Sequence, residues 1–238
     1  MVLASDVPHV SFLGFGALLG RIDAESIAVE PTLRSSWGVF DRSGVERATV
    51  SVATESTEKT TAMVVEAEST GTDGDRWVTR ADVVTEREAP FGLRDWWLEA
   101  YATDRHRQLR PSTRMVERGA IVRGRVRWSG VVRPEPTVGR QPTCVSWAWT
   151  RLAEHDAETQ GPPIRVLHVL DGLSCFAPDV RWQACGRVVW NGAELRGFRV
   201  FGPSYPVRHI WVGPGGAALF ELGLDRALVR HGLLEGGR

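Results

Sequence analysis

The sequence predicts an all-β protein: an antiparallel β-barrel with little helix, formed as a single domain over residues 1–238. Three observations lead there. From Gly119 to Trp211, runs rich in Val, Arg and Trp repeat with a period of two, which lines side chains up on a strand and scatters them around a helix. Turn residues separate the runs, most clearly Asn191-Gly192, a pair suited to a type I′ hairpin because both of its central positions take positive φ. Finally, about ten to twelve strand-like runs with hardly one amphipathic helix make a sheet that closes on itself or leaves long unpaired edges.

In chain order, Phe12–Leu19 is a short apolar segment, expected as an entry loop or first strand. Its Gly14, Gly16 and Gly20 follow a GxGxxxG spacing without the strand, helix and acidic residue of a nucleotide-binding unit. Ser36–Gly44 and Arg47–Thr54 form a hairpin, and Ala62–Glu68 and Arg76–Val84 flank the turn-rich Thr70–Asp75. Asp95–Tyr101, if extended, places Trp97, Glu99 and Tyr101 on one face, and Arg105–Pro111 follows as a basic connection. Gly119–Val132 reads as one strand with Val122, Val126 and Trp128 on one face and Arg123, Arg125 and Arg127 on the other. Cys144–Leu152, also extended, carries Val145, Trp147 and Trp149 together, and Ile164–Asp171 aligns Ile164, Val166, His168 and Leu170. Val180–Trp190 and Ala193–Val200 surround Asn191-Gly192, and Arg208–Val212 pairs with Ala217–Leu224 around Pro214–Gly216. Asp225–His231 extends the last strand or forms one helical turn.

Composition narrows the function classes. With 29 basic and 29 acidic residues the formal charge is zero, so no overall field draws the chain to nucleic acid or to an anionic membrane. Lys59 is the only lysine, a bias that fits a GC-rich, actinobacterial coding sequence and leaves Schiff-base chemistry one poorly placed candidate. The three cysteines, Cys144, Cys175 and Cys185, are odd in number and lack CxxC spacing, which speaks against a disulfide framework and for a reduced, cytoplasmic setting. Phe12–Leu19 is a short apolar stretch with no preceding Lys or Arg, which fits a signal peptide badly, and it is far too short for a bilayer span. No metal or cofactor is expected: HExxH is missing, His155-Asp156 reads as part of a polar loop before Gly161–Pro163, and Gly202–Pro206 departs from GxSxG.

Ten tryptophans against two tyrosines suit the wall of a pocket for an apolar ligand, with Trp97, Trp128, Trp147 and Trp149 as wall residues beside Tyr101; the alternative is that they fill the core. Glu99, His168, Asp171, Glu194, His209 and Glu221 are the titratable residues on strand-like runs. Glu99 and His168 are the catalytic candidates, Glu99 because burial beside Trp97 and Tyr101 would raise its carboxyl toward general-acid use. The row Arg123, Arg125 and Arg127 is a solvated face or, alternatively, an anion site.

Asp95–Tyr101, the strand-rich middle and Trp147-Ala148-Trp149 together resemble the lipocalin-like superfamily of carotenoid hydratases and natural-product cyclases, over residues 91–152. The His-Asp-x-Asn-x-Gly-like motif of the hydratases is replaced here by Thr137–Pro142. The resemblance implies a lipocalin- or calycin-like barrel that folds a polyketide- or terpenoid-like substrate and accelerates its cyclisation or isomerisation without cofactor, chiefly by holding the reactive conformation. The rival expectations are a non-catalytic carrier of a hydrophobic small molecule and an interaction protein with a filled barrel. A homodimer is compatible with each.

Overall fold

The computed structural model describes residues 14–71, 73–87, 89–129, 133–160, 164–190 and 192–234. Its strands are β1 (Arg34–Asp41), β2 (Glu46–Ser56), β3 (Thr60–Thr70), β4 (Arg76–Glu86), β5 (Ala89–Thr103), β6 (Met115–Val122) and β7 (Arg125–Ser129) in the first half. The second half supplies β8 (Thr143–Val145), β9 (Ile164–Asp171), β10 (Cys175–Trp190), β11 (Ala193–Gly202), β12 (Tyr205–Val212), β13 (Ala218–Leu222) and β14 (Arg226–Arg230). Pairing runs β4-β3-β2-β1-β14-β13-β12-β11-β10-β9-β8-β5, and β4 pairs with β5, so twelve strands close a barrel while β6 and β7 continue outward from β5. Lipocalins, by comparison, close eight strands.

The barrel is mixed, where the sequence predicts a purely antiparallel one. β8 runs parallel to β5, with Gly92 opposite Thr143, and parallel to β9, with Thr143 opposite His168. Parallel neighbours need a crossover. It is supplied by a 3-10 turn, Ser146–Ala148, followed by helix α2 (Trp149–Thr159). The expected strand over Cys144–Leu152 therefore stops at Val145, and His155-Asp156 lies in the helix, where Asp156 is buried, instead of in a solvated loop. The helical spacing of Trp149, Leu152, Ala153, Asp156 and Ala157 explains the difference: they repeat at i, i+3, i+4, i+7 and i+8 and form one apolar-rich stripe.

Seven of the eleven α2 residues are buried, because α2 sits inside the barrel. Near its start, Ser146 Oγ accepts the Gly172 N–H at 3.1 Å at the β9–β10 turn. Toward its end, Glu154 accepts the Ala218 N–H at 3.0 Å and Asp156 accepts Trp182 Nε1–H at 2.9 Å and pairs with Arg165 at 2.8 Å. On another wall, Arg151 faces Thr54, Met63 and Thr85 across a cavity of about 140 Å³.

Alternation then sorts the strands into two cores. Trp37, Val50, Val52, Met63, Val65, Ala81, Val83, Trp96 and Leu98 belong to the cluster that packs inside the barrel with α2. Phe40, Leu195, Trp211, Phe220, Leu222 and Val229 belong to a second cluster, covered by Phe15, Leu18, Leu19, Ile22 and Ile27. Residues Gly16–Leu19 form a single helical turn, α1, instead of a strand; positions 12 and 13 of that apolar segment lie outside the described residues. Burial on both faces accounts for the unbroken apolar character of Ala217–Leu222 around Glu221, a pattern that one-sided strands lack.

The predicted strand Gly119–Val132 is a hairpin. Arg123 and Gly124 both take positive φ, 51° and 71°, and Val122 pairs with Arg125 across them. Arg123, Arg125 and Arg127 are all exposed, while Val126 is buried and Trp128 packs against the inner core; Gly130 and Val132 lie outside the described residues. At the other predicted hairpin Trp190 pairs with Ala193, leaving two residues in the turn; Gly192 has φ 79°, and Asn191 lies outside the described residues. Among the described residues no helix is long and apolar enough to cross a membrane.

Candidate functional site

α2 leaves part of the lumen empty. Between its first turn and strands β1, β2 and β12–β14 lies a partly open cavity of about 370 Å³. Its inner wall is apolar: Trp37 and Val39 from β1, Val50 and Val52 from β2, and Leu228 from β14. Strand register dictates this wall, since Trp37 pairs with Val50 and Val39 with Leu228, whereas Phe40, next along β1, turns to the second core. Trp147, Ser146 and Thr150 form the helix side.

The outer end of the cavity is polar. Asp171, Gly172, Ser174 and Cys175 of the β9–β10 turn border it, with Arg208, Glu221 and Arg226. Glu221 pairs with Ile210 across β12 and β13 and so points inward like Ile210. Arg208 Nη1 donates to Glu221 Oε1 at 2.8 Å, and both residues are buried. Asp171 Oδ1 stands 3.7 Å from Arg208 Nη2, and the Arg208 guanidinium lies over the Tyr205 ring, 5.3 Å from its centroid. Burial pushes the Tyr205 hydroxyl well above the usual phenol range, and its oxygen accepts the Trp149 indole N–H at 2.9 Å. Among the described residues no group of His, Cys, Asp and Glu side chains is placed to hold a metal ion.

The predicted site residues fall in five separate places. Trp147, Asp171 and Glu221 line the cavity. Trp149, two residues further along the chain, is fully buried, stacked on Trp182 at 5.8 Å and 9°. Trp128 points inward from β7 but meets Trp96 edge-on at 5.2 Å beneath Arg133, away from the cavity's lining. Trp97, Glu99 and Tyr101 do share a face of β5, but it is the one turned away from the barrel interior, because Trp96, Leu98 and Ala102, on the alternate positions, are the buried ones. Glu99 pairs there with Arg114 at 2.7 Å.

His168 is buried on the face of β9 opposite Leu167 and Val169, with the Phe176 ring 5.2 Å away; burial lowers its pKa, and its Nδ1 has no hydrogen-bond partner among the described residues. Glu99 and His168 are thus not brought together, and neither lines the cavity. Arg208 and Trp37 were the residues that strand alternation alone did not single out. The five consecutive buried positions from Arg208 to Val212 carry no period of two to mark which side chains face the lumen.

A second inward carboxylate, Glu117 of β6, pairs with Arg133 at 2.9 Å, and burial raises its pKa against the pull of that guanidinium. Arg133 also donates to the Ser174 carbonyl at 3.1 Å, tying the connection after β7 to the cavity rim.

No protein-family profile and no curated protein matches the chain. Among solved structures it is similar to a β-barrel-like protein of a domain of unknown function, DUF1849, from Brucella abortus, at 11% identity and a TM-score of 0.46, over 83% of this chain and 93% of that one.

Proposed function

We propose that the chain binds an amphiphilic small molecule in the barrel lumen, its apolar body against Trp37, Val50, Val52, Leu228 and Trp147 and its polar end at the rim formed by Arg208, Asp171 and Ser174. The observation that carries this reading is the cavity itself: about 370 Å³, within the range of small-ligand sites, with an apolar wall and a few polar groups gathered at one end. Binding without turnover fits the charged groups best, since the buried Glu221 carboxylate is already held by Arg208 in an ion pair. A cyclase or isomerase would use the same confinement, with the bound conformation supplying the rate.

Trp37 and Trp147 make the test direct. Titration of the protein with medium-chain amphiphiles is expected to shift its tryptophan emission saturably, and Val52→Phe, which fills the cavity wall, is expected to weaken binding at least about tenfold, or about 1.4 kcal/mol. Unchanged emission and no heat in calorimetry would overturn the reading. Conversion of a bound polyene to a cyclised product would move the proposal from carrier to enzyme.

A further inference from the structure

Resting on that lumen-binding reading, we infer that the head group selected by the cavity is a carboxylate, held by Arg208 and Arg226, with the hydrocarbon end directed down the lumen toward Trp37. Arg208 is buried, yet among the described residues it donates one hydrogen bond, from Nη1 to Glu221. A guanidinium carries five N–H donors in a planar fork. The Nη2 group is 3.7 Å from Asp171, outside hydrogen-bond distance, so donors remain for a ligand in the cavity. Arg226 lines the same cavity from β14, and its exposed side chain has no ion pair or side-chain hydrogen bond among the described residues.

Formal charge does not select the ligand, because two arginines and two carboxylates border the cavity. Unused hydrogen-bonding capacity does. Glu221 is engaged with Arg208, and Asp171, with 36% of its side chain exposed, turns to water at the rim. The surplus is one of donors, in fork geometry, which a carboxylate fills with two parallel hydrogen bonds and an alcohol fills with one. An ammonium head would have to pass Arg226 and displace Arg208 from beside Asp171.

The direction of the tail follows from register. Asp41 pairs with Arg226 at the rim and Trp37 pairs with Arg230 four residues deeper along β1, about 13 Å at the rise of an extended strand. The apolar residues Val50 and Val52 continue that wall.

Calorimetric titration with octanoate, decanoate and dodecanoate, the matching primary alcohols and the matching alkyltrimethylammonium ions tests the assignment. The carboxylates are expected to bind at least about tenfold more tightly than the alcohols, with the ammonium ions weakest. Arg226→Gln, at an exposed position, is expected to weaken carboxylate binding severalfold and leave alcohol binding unchanged. The double variant Arg208→Leu/Glu221→Leu removes both buried charges at once, leaving neither uncompensated, and is expected to erase the carboxylate preference. Alcohols or ammonium ions that bind as tightly as carboxylates, or an Arg226→Gln variant indistinguishable from wild type, would overturn the carboxylate assignment while the lumen reading stands. If none of the three series binds, both fall.

Discussion

His209 alternates with the cavity-facing Arg208 and the core residue Ile210 on β12, and it is buried opposite Arg199, with no partner for Nδ1 among the described residues. Burial first, and the Arg199 charge second, push its pKa down to about 4. A folded value below the unfolded one near 6.5 means that the unfolded chain takes up the proton first, so stability is complete above that value and is lost as pH falls toward 4. His168, lowered for the same reason, acts in the same direction. Glu117 acts oppositely, because its raised carboxyl binds a proton in the folded state first and stability is regained as pH falls through its folded value. The net expectation is a protein less stable at pH 5 than at pH 7, with His209→Phe removing on the order of 1–2 kcal/mol of that difference. Urea midpoints of the two proteins at both pH values check this, and an equal loss in the variant would place the titrating group elsewhere.

At the scale of the element, the β6–β7 turn depends on one backbone position. A Cβ at Gly124 would stand 2.9 Å from the Gly139 carbonyl oxygen, and the φ of +71° lies in the left-handed region. The same segment is clamped by Val138 N–H and Gly139 N–H, both donating to the Gly124 carbonyl, at 2.8 and 3.0 Å. Gly124→Ala is therefore expected to lower stability by about 1–3 kcal/mol and Arg123→Asn to be neutral or slightly stabilising, as read from thermal midpoints. The barrel and most of its strands were legible because alternation and turn residues are local signals. This hairpin was not, since Val and Arg keep alternating by type through Arg123-Gly124, and the pair lacks the Asn or Asp that marks such turns. The alternation of Val145, Trp147 and Trp149 misleads for a complementary reason: its period of two spans only five residues and ends where a helical stripe begins, running from Trp149 to Ala157. In the candidate site, Asp171, Glu221 and Trp147 were legible as residue types on the right segments. Glu99 fell on the outer face because alternation states which residues share a face and not which face is buried.

For the whole molecule, the placement of α2 decides how the barrel holds together. Its buried polar groups reach separate walls: Asp156 engages Arg165 and Trp182 on β9 and β10, and Glu154 engages the Ala218 N–H on β13 and Arg230 on β14, 3.5 Å away. Among the described residues the ring is joined between β5 and β8 by the single Gly92–Thr143 pairing, so side chains inside the lumen supply much of what backbone pairing does not at that junction. A helix bound on several sides cannot leave without opening the wall, and a wall that opens loses the partners of Glu154 and Asp156. Unfolding is accordingly expected to be one cooperative transition in which α2 and the strands melt together. Glu154→Ala would leave the buried Arg230 and the Arg151 side chain without their carboxylate, at an expected cost of about 3–5 kcal/mol. Hydrogen exchange provides the sharper measurement. The amides of Leu152 and Ala153 in the wild-type protein should exchange only through global unfolding, with the same free energy as the amides of β12 and β13. Earlier exchange of the helix, with the strands still protected, would show that α2 is a separable plug and that the barrel stands without it.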